Sequence, residues 1–261
     1  MRNEYLKNLN KIEFVVTDAC TGKCKHCSQG AHKDCGARID PILAADAVRK
    51  ILSEYSVKTV MTFGGEPLLH TDAVYSIMSA AKEMNIEKRQ VITNGFFTKN
   101  PDKIREVVCR LYEVGVNDLL LSVDAFHQET IPVDIVKLFA KEAVDRGIPV
   151  RLQPAWLVSR DDENPYNQKT RELLDLFLEL NIHIGDGNVI FPEGNALEYL
   201  SEYFTDNRPE NPYEEDECDV RCVSFSADGE VLRGNIYRED VMQILSNYLP
   251  RDHEDLSENV L

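Results

Sequence analysis

The sequence predicts an α/β protein, a partial, open (β/α)6 TIM-like barrel with a small C-terminal hairpin-plus-helix extension. Three observations predict it. Short β-branched apolar runs alternate with longer stretches of helical period. Proline and glycine punctuate that alternation where helices should start and stop. The polar motifs fall at the carboxyl ends of the expected strands, the face on which barrels build their sites.

The first strand is expected over Ile12 to Thr17, and the first helix opens at Asp40–Pro41, a cap followed by proline, and runs through Ile42 to Tyr55. Strand two is Thr59 to Phe63, followed by a helix from Asp72 to Met84. Strand three, Gln90 to Thr93, precedes a helix from Pro101 to Val114 that Gly115 stops. Strand four is Leu119 to Val123, and its helix, Pro132 to Arg146, closes at Gly147. Strand five lies at Pro149 to Gln153; after a polar loop, helix Lys169 to Leu180 and strand Asn188 to Phe191 complete the sixth unit. Six units are too few to close an eight-stranded barrel, so a gap for substrate is expected.

Residues 1–204 thus form the barrel, 205–219 an acidic linker rich in Pro and Asn, and 220–261 a small extension. In the extension Val223 to Ser226 and Glu230 to Leu232, joined around Asp228–Gly229, suggest a hairpin, and Arg238 to Tyr248 a terminal helix.

A chain of 261 residues can bury a sizeable core. Its formal charge of −16 repels phosphates at long range, which argues against nucleic acid as a partner. The opening Met1 to Asn10 has no apolar run of signal-peptide or membrane-spanning length, so a cytoplasmic location without membrane contact is expected. Seven cysteines in such a chain point to metal ligation or free thiols.

Their spacing carries the chemistry. Directly after strand one comes CTGKCKHC, in which Cys20, Cys24 and Cys27 are close enough along one loop to surround an inorganic centre. Iron–sulfur clusters are held by cysteine thiolates, four when every iron is protein-bound, so three ligands leave one iron open. The alternatives are a zinc site with His26 as fourth ligand, or three unrelated thiols. One unit later, Gly64, Gly65, Glu66 and Pro67 end strand two; two glycines allow close backbone approach, and their carbonyls can accept from an ammonium group. A plain turn is the alternative. Thr93 and Asn94 end strand three, Ser122 and Asp124 strand four, Gln153 strand five and Phe191 strand six. Hydroxyl, amide and carboxylate groups suit ribose hydroxyls and a carboxylate, although Asn94–Gly95 is also a turn signal and Asp124 a helix cap.

CTGKCKHC followed by GGEP resembles the radical S-adenosylmethionine (radical SAM) superfamily, over most of residues 12 to 192. The resemblance implies a [4Fe-4S] cluster on Cys20, Cys24 and Cys27 whose open iron is chelated by S-adenosylmethionine. One electron then splits the cofactor, and a 5′-deoxyadenosyl radical abstracts hydrogen from substrate. It also implies cofactor contacts from Gly64, Gly65, Glu66, Pro67, Thr93, Asn94, Ser122, Asp124, Gln153 and Phe191, with Gly64 to Pro67 binding the methionine amino group. Asp124 and His127 are the substrate-side candidates, and His26 is expected to pack or hydrogen-bond beside the cluster. A one-electron donor such as flavodoxin or ferredoxin is the expected partner.

Cys218 and Cys222 precede VSFSADGEVLRGN, which resembles the start of the cysteine-rich SPASM/twitch extension of peptide-modifying members. Arg233–Gly234 stand where that extension places a further cysteine, so it is read as degenerate. An auxiliary cluster, a zinc or redox pair and unmetallated thiols are the choices there, and metal is not favoured. Cys35 is read as a loop thiol and Cys109 as a small buried hydrophobe. Phe191 to Ala196 is similar to a Pro-x-Gly-x-Ala turn of the same subfamily, with Asn195 where arginine is common. A peptide substrate is therefore favoured; a small-molecule enzyme of deazapurine-synthase type and a non-catalytic iron–sulfur or zinc protein are the alternatives.

Overall fold

The computed structural model describes residues 2–32, 36–205 and 208–251. Five strands, β1 (Lys11–Val15), β2 (Thr59–Phe63), β3 (Lys88–Thr93), β4 (Asp118–Ser122) and β5 (Val150–Gln153), lie parallel and side by side in sequence order. After β6 (Ala155–Trp156), β7 (His183–Ile184) extends the sheet beyond β5, while β8 (Asn188–Val189) pairs with β6 instead. On the opposite edge β9 (Cys222–Phe225) pairs in parallel with β1. The result is an open seven-stranded sheet in the order β7-β5-β4-β3-β2-β1-β9.

The crossovers are α1 (Pro41–Glu54), α2 (Thr71–Glu83), α3 (Pro101–Glu113), α4 (Ala125–Gln128), α5 (Val133–Arg146), α6 (Pro165–Asp175) and α7 (Asn195–Tyr199). Asp40, Asn100 and Asn164 each cap a helix whose first residue is proline, and Gly147 ends α5 at φ +89. Small side chains face one another between α1 (Ala44, Ala45, Ala47) and α2 (Ala73, Ala80, Ala81), all buried, which lets the two helices pack closely. Beyond β9 come a two-residue-turn hairpin, β10 (Glu230–Val231) with β11 (Gly234–Asn235), and α8 (Val241–Asn247). No described helix is long and apolar enough to cross a membrane.

Two placements differ from the sequence reading. The expected sixth strand, Asn188 to Phe191, is not in the main sheet; His183–Ile184 takes that edge. Pro154 lacks a ladder N–H, so the chain bends after β5 and its carbonyl receives Asn188 N–H, starting a separate ladder. Likewise, Val223 to Phe225 does not pair with Glu230 to Leu232 as the expected hairpin would. Val223 and Phe225 lie opposite Ile12 and Phe14, and the Phe14 and Phe225 rings stack at 4.5 Å. Burying these four apolar side chains on the helix side of the sheet favours pairing with β1 over a local turn. The hairpin then forms further on, around Leu232 and Arg233, both at positive φ.

At the amino ends of the strands, Arg151 grips Asp118 through Nε and Nη2 at 2.9 and 2.8 Å, and Gln90 Nε2 donates at 2.6 Å. Burial alone would raise the Asp118 pKa, but these donors and the Arg151 and Lys88 charges outweigh it, and the net shift is downward. A depressed carboxyl pKa stabilises the fold above its unfolded value and loses that stabilisation as pH falls through the folded one. Asp118→Asn is therefore expected to cost about 2 kcal/mol at neutral pH. In urea titrations the gap between wild type and variant should close as pH falls below about 4; a gap that persists at acid pH would discount the ion pair.

Candidate active site

The loop between β1 and α1 carries Cys20, Cys24 and Cys27 at the carboxyl edge of the sheet. Three neighbouring segments fasten it. From the turn after β2, Gly65 N–H donates to the Thr17 carbonyl and Glu66 N–H to the Ala19 carbonyl, each at 2.8 Å. From the first residue of α7, Asn195 N–H donates to the Cys27 carbonyl at 2.9 Å and its Nδ2 to the Cys24 carbonyl at 2.9 Å. From the segment after α4, Thr130 Oγ1 accepts from Lys23 N–H at 3.1 Å, and Glu129 pairs with Lys25 at 3.1 Å.

The glycines serve this fastening. A Cβ on Gly65 would lie 2.1 Å from the Ala19 oxygen, and one on Gly64, whose φ is +138, 2.6 Å from the Thr17 oxygen. What approaches these backbones is the protein's own cysteine loop, where the sequence suggested a ligand. Gly194, at φ +53, meets the Cys27 and Ser28 carbonyls in the same way. Asn195, singled out in the sequence only for replacing an arginine, is the polar anchor of that contact.

Glu66 and Thr93 are turned inward. The Glu66 carboxylate, with no exposed surface, accepts from Leu68 N–H at 2.9 Å, Thr93 Oγ1 at 2.7 Å and Asn94 N–H at 2.8 Å, tying the end of β2 to the end of β3. Burial pushes its pKa up to about 7 against those three donors. Pro67 is buried beside it, opening a short 3-10 turn. Asp124, equally buried, accepts from Phe126 N–H, His127 N–H, His127 Nδ1 and Ala155 N–H at 2.9 to 3.1 Å, with the imidazole at 2.8 Å. It is a cap and a clamp, and only His127 of this pair keeps some exposure, 17% of its side chain. Burial disfavours the Asp124 carboxylate, yet the His127 charge and hydrogen bond hold it down to about 2; burial likewise disfavours imidazolium, and Asp124 holds the His127 pKa above its ordinary value.

His26 packs beside Phe126 and His127, tilted to the first ring and edge-on to the second, with centroids at 5.0 and 4.8 Å. Burial lowers its pKa to about 4, so the ring is neutral, and its buried Nδ1 has no partner among the described residues. Ser122 and Gln153 end adjacent strands in register with one another. Phe191 is buried, and its ring meets Tyr213 edge-on at 6.1 Å.

The donor set suits an inorganic centre. Cys24 is buried, and burial pushes the thiols of Cys24 and Cys20 up, Cys20 to about 11, so a thiolate here needs a cationic partner. The orphaned His26 Nδ1 also marks a place where a bound group would complete the hydrogen bonding. Cys24 Sγ with one nitrogen each of His26 and His127 lie within 4.8 Å of one another, and they are the one such grouping of potential metal ligands among the described residues. Cys218 and Cys222 do not meet in a second grouping: Cys222 neighbours Glu13 and Lys11, whereas Cys218 lies near Tyr5 and Tyr248. Cys35 falls outside the described residues. Cys109 is half-buried and contacts Arg146 Nη2 at 2.9 Å, a more polar setting than expected.

The family model of the radical SAM superfamily matches residues 14–199. Among curated proteins, a probable GTP 3′,8-cyclase of Sulfolobus acidocaldarius is 29% identical over 164 residues, covering 60% of this chain and 49% of that protein. The GTP 3′,8-cyclase of Clostridium perfringens strain 13 is 26% identical over 197 residues, covering 67% and 59%. The chain spans about half the length of the curated relatives it matches. Among solved structures, Streptococcus suis SuiB bound to S-adenosylmethionine aligns with a TM-score of 0.64 at 16% identity, over 96% of this chain and 68% of that one. Native anSMEcpe with bound AdoMet and Cp18Cys peptide aligns with a TM-score of 0.59 at 15% identity, over 97% of this chain and 84% of that one. At these identities the two structures speak for the fold.

Proposed function

Since the chain belongs to the radical SAM superfamily, whose members use a [4Fe-4S] cluster and S-adenosylmethionine, we propose that Cys20, Cys24 and Cys27 hold that cluster and that the substrate is a peptide. When bound, the cluster supplies the electron that splits S-adenosylmethionine into methionine and a 5′-deoxyadenosyl radical able to take hydrogen from substrate.

The observation that carries this reading is the loop itself. Three thiols on one short segment are fastened from three sides, by the β2, α4 and α7 turns, with two of the thiols too buried to ionise alone. Gly64, Gly65, Glu66 and Pro67 take the role of positioning the loop and closing the site's floor; Thr93 and Asp124 support it from within. Side chains left to face a ligand are Asn94, Ser122, Gln153 and His127, at the ends of β3, β4 and β5 and in α4. A one-electron donor of flavodoxin or ferredoxin type would complete the system.

A peptide is favoured by the cleft beside β1. Ser224, Ser226, Arg233, Asn235, Arg238 and Glu239 line a cavity of about 470 Å³, with Val15 at the strand end that feeds the cysteine loop. An open, polar cleft suits an extended chain with backbone donors and acceptors; small-molecule sites are usually enclosed and apolar. A small-molecule substrate is the second reading, favoured by the names of the sequence relatives, of which the match covers 49% and 40%.

Anaerobically reconstituted protein with reductant is expected to contain iron and sulfide and to convert S-adenosylmethionine to 5′-deoxyadenosine and methionine. No cleavage by protein with a verified reduced cluster would remove the proposal. Zinc alone, bound through Cys24, His26 and His127, would replace it with a zinc site.

A further inference from the structure

We propose that Asn94 is a hydrogen-bond donor to the Cys20 thiolate and helps set the reduction potential of the centre, an inference that rests on Cys20, Cys24 and Cys27 being its ligands. The orientation of Asn94 is settled by its neighbours. Phe96 N–H donates to Oδ1 at 2.8 Å, so that end of the amide is the oxygen, and Nδ2 is the end that faces the cysteine loop. There it lies 3.1 Å from Thr21 Oγ1 and 3.6 Å from Cys20 Sγ. Asn94 is only 5% exposed, so bulk water does not compete for the donor. Gly22 N–H approaches the same sulfur at 3.3 Å.

On the other side of the loop, His32 Nδ1 lies 2.7 Å from the Asp18 carbonyl, which can only accept, so in the neutral ring that nitrogen carries the proton and Nε2, 3.4 Å from Cys27 Sγ, has none to give a thiolate. Cys24 receives no hydrogen bond at sulfur among the described residues, and one nitrogen each of His26 and His127 lie within 4.8 Å of it. The three thiolates are therefore unequal: Cys20 has two donors, and Cys27 and Cys24 have none among the described residues.

Donors to sulfur withdraw electron density from the iron and stabilise the reduced, more negative state, which raises the potential. The uncharged variant is Asn94→Leu, of nearly the same shape, which loses the donor to Cys20 without adding the negative charge that Asn94→Asp would bring and that would lower the potential by itself. Spectroscopically monitored redox titration of reconstituted protein, with iron and sulfide measured on the same samples, is the test. At the wild-type midpoint, Asn94→Leu is expected to lower the reduced-to-oxidised ratio about tenfold, about 59 mV for a one-electron couple. Asn94→Ala should shift it in the same direction by a similar amount.

Equal iron and sulfide with unchanged midpoints in both variants would overturn the proposal while leaving the cluster assignment intact. Wild-type protein that takes up no iron and sulfide would overturn both. If Asn94→Leu does not retain the centre, the midpoint of Asn94→Ala decides.

Discussion

Cys24→Ala is expected to abolish iron and sulfide incorporation, and S-adenosylmethionine cleavage should fall to background, a loss of more than about a thousandfold. Cys24 is the most buried of the three cysteines, 7% exposed, and its carbonyl is already held by Asn195 Nδ2 and Cys27 N–H. Burial drives its thiol pKa well above the usual range, so the free side chain stays protonated and only a bound cation would make it a thiolate. Alanine fits the same small space, and the backbone bonds that shape the loop do not use the sulfur. The apo variant should therefore melt within a few degrees of apo wild type. Iron, sulfide and 5′-deoxyadenosine measured on folded Cys24→Ala give the answer; a retained cluster with normal cleavage would take Cys24 out of the ligand set.

Gly65→Ala should be the most damaging single methyl group in the chain. Its Cβ would sit 2.1 Å from the Ala19 oxygen and 2.6 Å from the Ala19 carbonyl carbon, and both are backbone atoms that cannot rotate away. Relief requires the β2 turn to withdraw, stretching the two bonds, from Gly65 N–H and Glu66 N–H, that hold the base of the cysteine loop. Overpacking and two weakened buried hydrogen bonds together are expected to cost about 3 to 5 kcal/mol and to prevent cluster incorporation. Gly147→Ala is the control: nothing lies within 4 Å of its added Cβ, so only the left-handed backbone at φ +89 resists, at about 1 kcal/mol. Chemical denaturation of the apo forms compares the two. A Gly65→Ala chain as stable as Gly147→Ala would mean that the loop and turn do not approach so closely in solution.

The motifs and their order were legible in the sequence because they are local. Three cysteines within eight residues, Gly-Gly-Glu-Pro at the end of an apolar strand, and prolines after Asp40 and Asn100 each act through neighbouring atoms. The alternation of strands and helices likewise follows from side-chain period, and it placed β1 to β5 in their observed order. Helix α6 begins at Pro165, four residues before the expected start, although Asn164–Pro165 carries the same cap-and-proline signal as Asp40–Pro41.

Other features depended on which distant surfaces meet. A four-residue segment such as Cys222–Phe225 has no local property that chooses between a hairpin and the edge of β1; burial of Val223 and Phe225 against the existing core chooses. The same holds for direction. Glu66, Thr93 and Asp124 read as ligand-facing polar groups, and the fold spends them on joining strand ends, because buried backbone N–H groups there require acceptors. Asn195 and His32 gave no signal of their own, since one acts across 171 residues on the Cys24 carbonyl and the other acquires its aim only when the loop folds back on Asp18. Sequence alone determined the element order and the donor chemistry, which are short-range; only the tertiary structure decided which side chains face the site and which hold it together, because that depends on contacts between segments far apart in the chain.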